Sequence, residues 1–171
     1  MAVPTRSAGT ELRFVAVSQD DPLAEPLMAE LAIEYATRYG GTVERVGAWL
    51  RDYPVTEFQP PGGGMLIGLL AGRPVTGGAF RRFDSETAEL KRIWTDGGHR
   101  RRGLARALLV ELESAITSRG YRRVYLTTGD RQPEAEALYL ATGYRRLAKP
   151  LAGEDTGGEV YPVAFVKELQ P

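Results

Sequence analysis

The sequence has no cysteine and one histidine, His99. Disulfide scaffolds, thiol nucleophiles, zinc fingers and His-rich metal sites are thereby excluded, and a Ser-His-Asp triad would rest on a single imidazole. Long apolar runs are also missing. The longest charge-free stretch, Phe58 to Gly72, is interrupted by Pro60, Pro61 and a glycine cluster and falls short of the ~20 apolar residues that span a bilayer. Met1 to Thr10 carries Arg6 but no apolar core before a cleavage site, so it does not read as a signal peptide, and a cytoplasmic address is expected. Nor is there an excess of either charge: 22 Lys+Arg balance 22 Asp+Glu, which argues against a general nucleic-acid binder. Lysine itself is scarce, with Lys91, Lys149 and Lys167 beside 19 arginines.

What is present is an ordinary soluble composition, 43% hydrophobic and 26% charged over 171 residues. That length predicts a flexible N-terminus over 1–10 and one domain over 11–171. Leu12 to Val17 reads as a strand. Leu23, Leu27, Leu31 and Tyr35 recur every four residues and predict a helix that starts near Pro26 and stops at Gly40-Gly41. A second short helix is expected over Val43 to Asp52, then a loop from Phe58 to Gly64. Met65 to Ala71, Val75 to Phe83 and Ala88 to Thr95 follow as strands joined by short turns, hence an antiparallel meander. Helical periodicity returns from Gly103 to Arg119 and again after Pro133, around a strand at Val124 to Thr128. Tyr144 to Leu147 and Val160 to Val166 close the chain as two strands. The order β-α-α-β-β-β-α-β-α-β-β predicts an α+β, or mixed α/β, fold on one mostly antiparallel sheet.

Charge is concentrated in one segment. Between Lys91 and Arg106 lie six basic residues (Lys91, Arg92, Arg100, Arg101, Arg102 and Arg106) and one acid, Asp96. This segment carries a strand through Asp96-Gly97-Gly98-His99 into the start of a helix, where free backbone N–H groups and the positive end of the helix dipole converge. Gly103 admits a bulky anion to the backbone, and Ala105 keeps the next position small. Cations at a helix N-terminus each cost ~0.3 to 1 kcal/mol without a compensating anion, so a phosphate is the natural guest; a solvated arginine face is the other reading.

Arg100-Arg101-Arg102-Gly103-Leu104-Ala105 resembles the Arg/Gln-x-x-Gly-x-Gly/Ala signature of the GNAT superfamily of acetyl-CoA-dependent N-acyltransferases. Leu138-Tyr139 followed by Gly143-Tyr144 is similar to that family's Leu-Tyr-x-x-x-Gly-Phe/Tyr signature, and Glu89 to Thr95 to its fourth strand. The resemblance runs from Ala88 to Arg146 in motif and through the N-terminal helices in order. It implies a twisted, mostly antiparallel central sheet of about six to seven strands flanked by about four helices. It also implies acetyl-CoA as cofactor and coenzyme A as product, with no metal. Backbone groups of Ile93, Trp94 and Thr95 would meet the pantetheine arm, and Arg100, Arg101, Arg102, Gly103, Leu104, Ala105 and Arg106 would hold the pyrophosphate. Gln132 stands where many members have an asparagine on that arm. Glu89 matches a general base, Tyr139 the general acid, and Tyr35, Arg38 and Tyr39 lie in the acceptor region.

The chemistry asks for such groups. An alkylammonium with a pKa near 10.4 must lose a proton before it attacks a thioester, directly or through water, and a departing thiolate needs a donor. A bulged strand near Ile93 or Trp94 would supply an N–H for the oxyanion. The activity implied is transfer of an acetyl group to a primary amine of a small molecule or a protein N-terminus, in a ternary complex without a cysteine. Nucleic acid and membrane are not expected partners; a homodimer is compatible with the family. The alternative is a non-catalytic acyl-CoA-binding or regulatory module on the same fold. Glu89 has two readings, a base or a strand residue paired with Lys91 or Arg92. Trp49 and Trp94 read as packing residues, Trp94 with a second role in the acyl pocket. The loops Phe58 to Gly64 and Gly153 to Gly158 are expected to border the acceptor.

Overall fold

A computed structural model describes residues 11–151 and 163–170, so the N-terminal segment 1–10 and the loop Gly153 to Gly158 lie outside the described residues. Strand β1 (Arg13–Ala16) leads into a short 3-10 turn, Pro22–Ala24, whose first free N–H, on Leu23, is capped by the Asp21 carboxylate at 2.8 Å. Helix α1 (Glu25–Tyr39) follows directly and ends where Gly40 takes a positive φ of 90°. Pro26 sits in its first turn rather than before it, because a proline near a helix start removes an N–H that has no partner anyway. Helix α2 (Val43–Asp52) is started by the Thr42 hydroxyl, which accepts from the Arg45 N–H at 3.2 Å.

The sheet comprises β2 (Gly64–Leu70), β3 (Arg73–Arg82), β4 (Thr87–Thr95), β5 (Arg123–Thr128), β6 (Arg145–Arg146) and β7 (Val163–Glu168) together with β1, in the order β1-β2-β3-β4-β5-β7-β6. All neighbours are antiparallel except β4 and β5. Helices α3 (Leu104–Ser118) and α4 (Pro133–Ala141) make the crossover connections on either side of β5. The α3 helix begins one residue later than the periodicity predicts, because Gly103 has φ 76° and serves as its N-cap.

Alternate residues of the strands feed two cores on opposite faces. Phe80, Leu90, Leu108, Leu112 and Phe165 belong to the α3/α4 face, whereas Ala79, Ile67, Met65, Leu27 and Leu31 belong to the α1/α2 face. Each such leucine or phenylalanine removed from water contributes about 1.5 to 3 kcal/mol. Leu90 and Trp94 share strand parity but face opposite cores. The cause is a bulge: Gly77 pairs with Trp94 and Ala79 with Lys91, so Arg92 and Ile93 together oppose Gly78. Gly78 leaves room there for Ile93 and Leu112, whose Cδ1 atoms a Cβ at 78 would meet at 2.7 and 3.1 Å and push aside. Among the described residues no helix is long and apolar enough to cross a membrane.

Candidate active site

The sheet opens at its centre. Strands β4 and β5 pair in parallel only through Thr87–Arg123, Ala88–Val124 and Glu89–Tyr125, although β4 runs on to Thr95 and β5 to Thr128. Beyond Glu89 no described strand pairs with that edge of β4, and a cavity of about 120 Å³ lies in the fork. Its walls are Leu90 to Ile93 of β4, Leu126 to Thr128 of β5, residues of α4 that include Leu138 and Tyr139, and aromatic residues from the α1/α2 face. The bulge directs the β4 side chains here. Arg92, at φ 62°, occupies a backbone region that costs a side-chain-bearing residue about 1 to 3 kcal/mol, and this turns it toward α2. Its Nη2 donates to Leu50 O at 2.7 Å, and its guanidinium carbon stands 5.6 to 6.0 Å from the ring centroids of Tyr53, Phe58 and Trp49.

Tyr139 projects from α4 into the cavity and is buried, packed edge-on to Tyr144 with centroids 5.6 Å apart. Burial, with a small contribution from Tyr35, pushes its phenol well above the ordinary tyrosine range, so at neutral pH it holds its proton. Glu89 is 3% exposed, and its Oε1 accepts from Arg81 Nε at 3.1 Å and from Lys91 Nζ at 3.2 Å. Lys91 lines the cavity; burial lowers its pKa, an effect the Glu89 charge opposes and the Arg81 charge adds to.

At the far end of β4, the Asp96 carboxylate accepts from the Gly98 N–H at 3.2 Å and contacts His99 Nδ1 at 2.6 Å. The His99 contact comes first among the causes that hold the Asp96 carboxyl below its ordinary range. With that acid engaged, Arg100, Arg101, Arg102 and Arg106 surround the start of α3 with exposed cations, and Arg101 and Gly103 both adopt positive φ, 64° and 76°. The first N–H groups of α3 have no partner inside the helix and no side-chain cap at Gly103. A cationic turn with uncapped helix N–H groups thus follows the end of β4.

A model of the acetyltransferase (GNAT) family matches residues 27–144, which take in the fork, the turn and Tyr139. The chain belongs to the GNAT family of acetyltransferases. Human N-acetyltransferase 8 is 31% identical over 84 residues, 49% of this chain and 36% of that protein. The Bacillus subtilis (strain 168) protein named uncharacterized N-acetyltransferase YsnE is 33% identical over 94 residues, 54% of this chain and 60% of that one. The matches therefore span less than two thirds of these relatives' own length. In fold, the chain is similar to PaiA N-acetyltransferase from Thermoplasma acidophilum, solved in complex with coenzyme A, with a TM-score of 0.70 at 17% identity over 94% of this chain and 100% of that one.

Seen as a GNAT chain, the residues picked out from sequence separate into groups. Ile93, Gln132, Tyr139 and Tyr35 line the cavity. Trp94 does not: the bulge turns its ring into the α1/α2 core, where Nε1 donates to Glu30 Oε2 at 2.7 Å. Its carbonyl accepts from Thr76 Oγ1 at 2.8 Å, and the Thr95 hydroxyl lies 3.4 Å from the same group. Arg38 and Tyr39 lie outside the cavity wall and fasten α1 to the start of α4: Arg38 Nη1 donates to Arg131 O at 2.5 Å, Nη2 to Glu134, and Gln132 Nε2 to the Tyr39 hydroxyl at 3.3 Å. Glu89 stands behind Lys91 rather than in the wall. Of the loop Phe58 to Gly64, Phe58 reaches the cavity, while Pro61, Gly62 and Gly63 are tied by their carbonyls to Arg119 and Tyr121.

Sequence reasoning missed Lys91 and Arg92 as cavity residues, and Trp49 and Tyr53 as part of its aromatic wall beside Phe58. Their clustering follows from α2 and the 3-10 turn Val55–Phe58 folding over β4, which no local periodicity announces.

Proposed function

We propose that the protein transfers an acetyl group from acetyl-CoA to the primary amine of a small-molecule or protein N-terminal acceptor, by direct attack in a ternary complex. The observation that supports this reading is the fork, which brings the open β4 edge and the buried Tyr139 phenol to one cavity, with the arginine-rich turn following at the end of β4. Acetyl-CoA, when bound, supplies an activated thioester. The residues fit it: Arg100 to Arg106 and the free α3 N–H groups suit a pyrophosphate, and the β4 backbone from Leu90 to Thr95 suits an amide-bearing arm. Gln132 offers an amide to the same arm once it leaves Tyr39.

Tyr139 keeps a proton at its hydroxyl and presents it to the leaving sulfur. With its pKa raised, the phenol acts first as a hydrogen-bond donor to the developing thiolate and gives up its proton only as the reaction completes. Glu89 receives the acceptor's proton, through water or past Lys91, since it stands one layer behind the wall. All seven described strands share one sheet, which supports reading 11–171 as one domain.

The test is a panel of amines assayed for coenzyme A release, with Tyr139→Phe alongside. Turnover is expected in the unmutated protein. In the variant, kcat should fall by about a hundredfold or more while coenzyme A binding is retained. If no amine is acetylated although coenzyme A binds, a binding module replaces the enzyme.

A further inference from the structure

We infer that Lys91 is itself an acceptor: with acetyl-CoA bound and no other amine present, the protein acetylates its own Nζ, and the new amide fills part of the acceptor side of the cavity. This deepens the acyltransferase reading and rests on it. Lysine is scarce in the chain, limited to Lys91, Lys149 and Lys167. One of the three nevertheless lines the fork, where it is the one primary amine among the described residues of the wall.

Its placement meets the demands of acyl transfer. Lys91 lies on the open stretch of β4, past the last pair with β5 and beside the backbone proposed to hold the amide-bearing arm. A nucleophile held at its target needs no encounter, an advantage of several powers of ten in rate. Glu89 Oε1 stands 3.2 Å from Nζ, so Lys91 is an amine that this carboxylate reaches without a bridging water. Burial favours the free amine over the ammonium, against the pull of the Glu89 charge. Tyr139 belongs to the α3/α4 core, whereas Arg81, bound to the same Glu89 oxygen, stacks on Tyr53 of the α1/α2 face at 5.5 Å. The amine and the phenol therefore approach the fork from opposite faces of the sheet.

The step balances. Glu89 takes one proton from the Lys91 ammonium, and the freed electron pair of Nζ forms a bond to the thioester carbonyl carbon. When the carbon–sulfur bond breaks, sulfur keeps its electron pair and takes the Tyr139 proton. The second proton of Nζ leaves through water and restores the phenol. The products are Nε-acetyllysine, coenzyme A and the proton on Glu89. Lys149 is exposed, Lys167 is bound to Glu113 at 2.6 Å and to the Thr142 carbonyl at 2.8 Å, and neither lines the cavity.

The experiment incubates the purified protein with acetyl-CoA and no amine, then reads the acetyl load of each lysine by peptide mass spectrometry. Lys91 should gain one acetyl group about tenfold faster than Lys149 or more, and lose that lead in heat-unfolded protein. Tyr139→Phe should slow the modification by about tenfold or more, as it slows the amine panel; if that variant does not fold, the lead of Lys91 in the unmutated protein decides the matter. Labelling with acetic anhydride needs no turnover: coenzyme A, at a concentration that raises the melting temperature, should shield Lys91 and leave Lys149 unchanged. With the panel turning over, an unmodified Lys91, equal rates at Lys91 and Lys149, a Tyr139→Phe variant that slows the panel but not Lys91, or labelling indifferent to coenzyme A would overturn the inference and leave the acyltransferase reading intact. Acetylation of Lys91 with no amine of the panel accepted would keep the inference and overturn the reading of a separate acceptor.

Discussion

Replacing Glu89 with glutamine separates the two roles this residue can hold. The substitution keeps shape and removes one negative charge from beside two cations, Arg81 and Lys91, whose side chains are 14% and 22% exposed. Breaking a fully buried ion pair costs about 3 to 5 kcal/mol, because the remaining charge is left uncompensated. Here both cations can relax partly toward water, so about 2 to 3 kcal/mol is the fitting range. At about 2 to 4 °C per kcal/mol for a chain of this size, the melting temperature of Glu89→Gln should fall by about 4 to 12 °C. Lys91→Met in the glutamine background should recover part of the loss, since it removes one of the stranded charges, and the double-mutant cycle isolates the coupling. Calorimetric melting of the four proteins measures this. The same set, assayed across pH per mole of folded protein, reports the chemistry: loss of the base lowers kcat, whereas a purely structural Glu89 leaves it unchanged once folded protein is counted. A melting temperature that does not move would refute the ion-pair energetics, and an unmoved kcat would refute the base.

Alkaline pH should unfold the protein from about pH 10 upward. Burial raises the phenols of Tyr53, Tyr121, Tyr125, Tyr139 and Tyr144 above their unfolded value, so their contribution is complete below that value and is lost as pH rises through the folded ones. Tyrosinate absorbance rising together with the loss of circular dichroism is the expected signature; ionisation well before unfolding would contradict it. Gly103→Val places a β-branched residue at φ 76° where no neighbour lies within 4 Å, so its cost is conformational, about 1 to 3 kcal/mol, and should appear as lower stability with weaker coenzyme A binding. Retained stability and affinity would show that the turn does not need glycine.

The order of strands and helices was legible in the residues because it depends on periods along the chain. Leu27 and Leu31 mark one face of α1, the glycines at 40, 103 and 143 bound helices, and the arginine run with Gly103 marks a cationic turn. The β4 bulge was anticipated, but its consequence was not: one extra residue reverses the faces of Arg92 and Trp94, and alternation read from sequence then sends each to the wrong core. Side-chain partners are equally hidden. Glu89 was expected beside Lys91 or Arg92 and meets Lys91, whereas Arg81 comes from the neighbouring strand, and Arg38 meets Arg131 and Glu134 across more than ninety positions of chain. Sequence by itself determined the elements and the family and singled out the arginine-rich turn, all of which rest on local spacing. Tertiary structure alone decided how far β4 and β5 part and which side chains line the gap, because strand register and helix packing are set by contacts that local spacing does not encode.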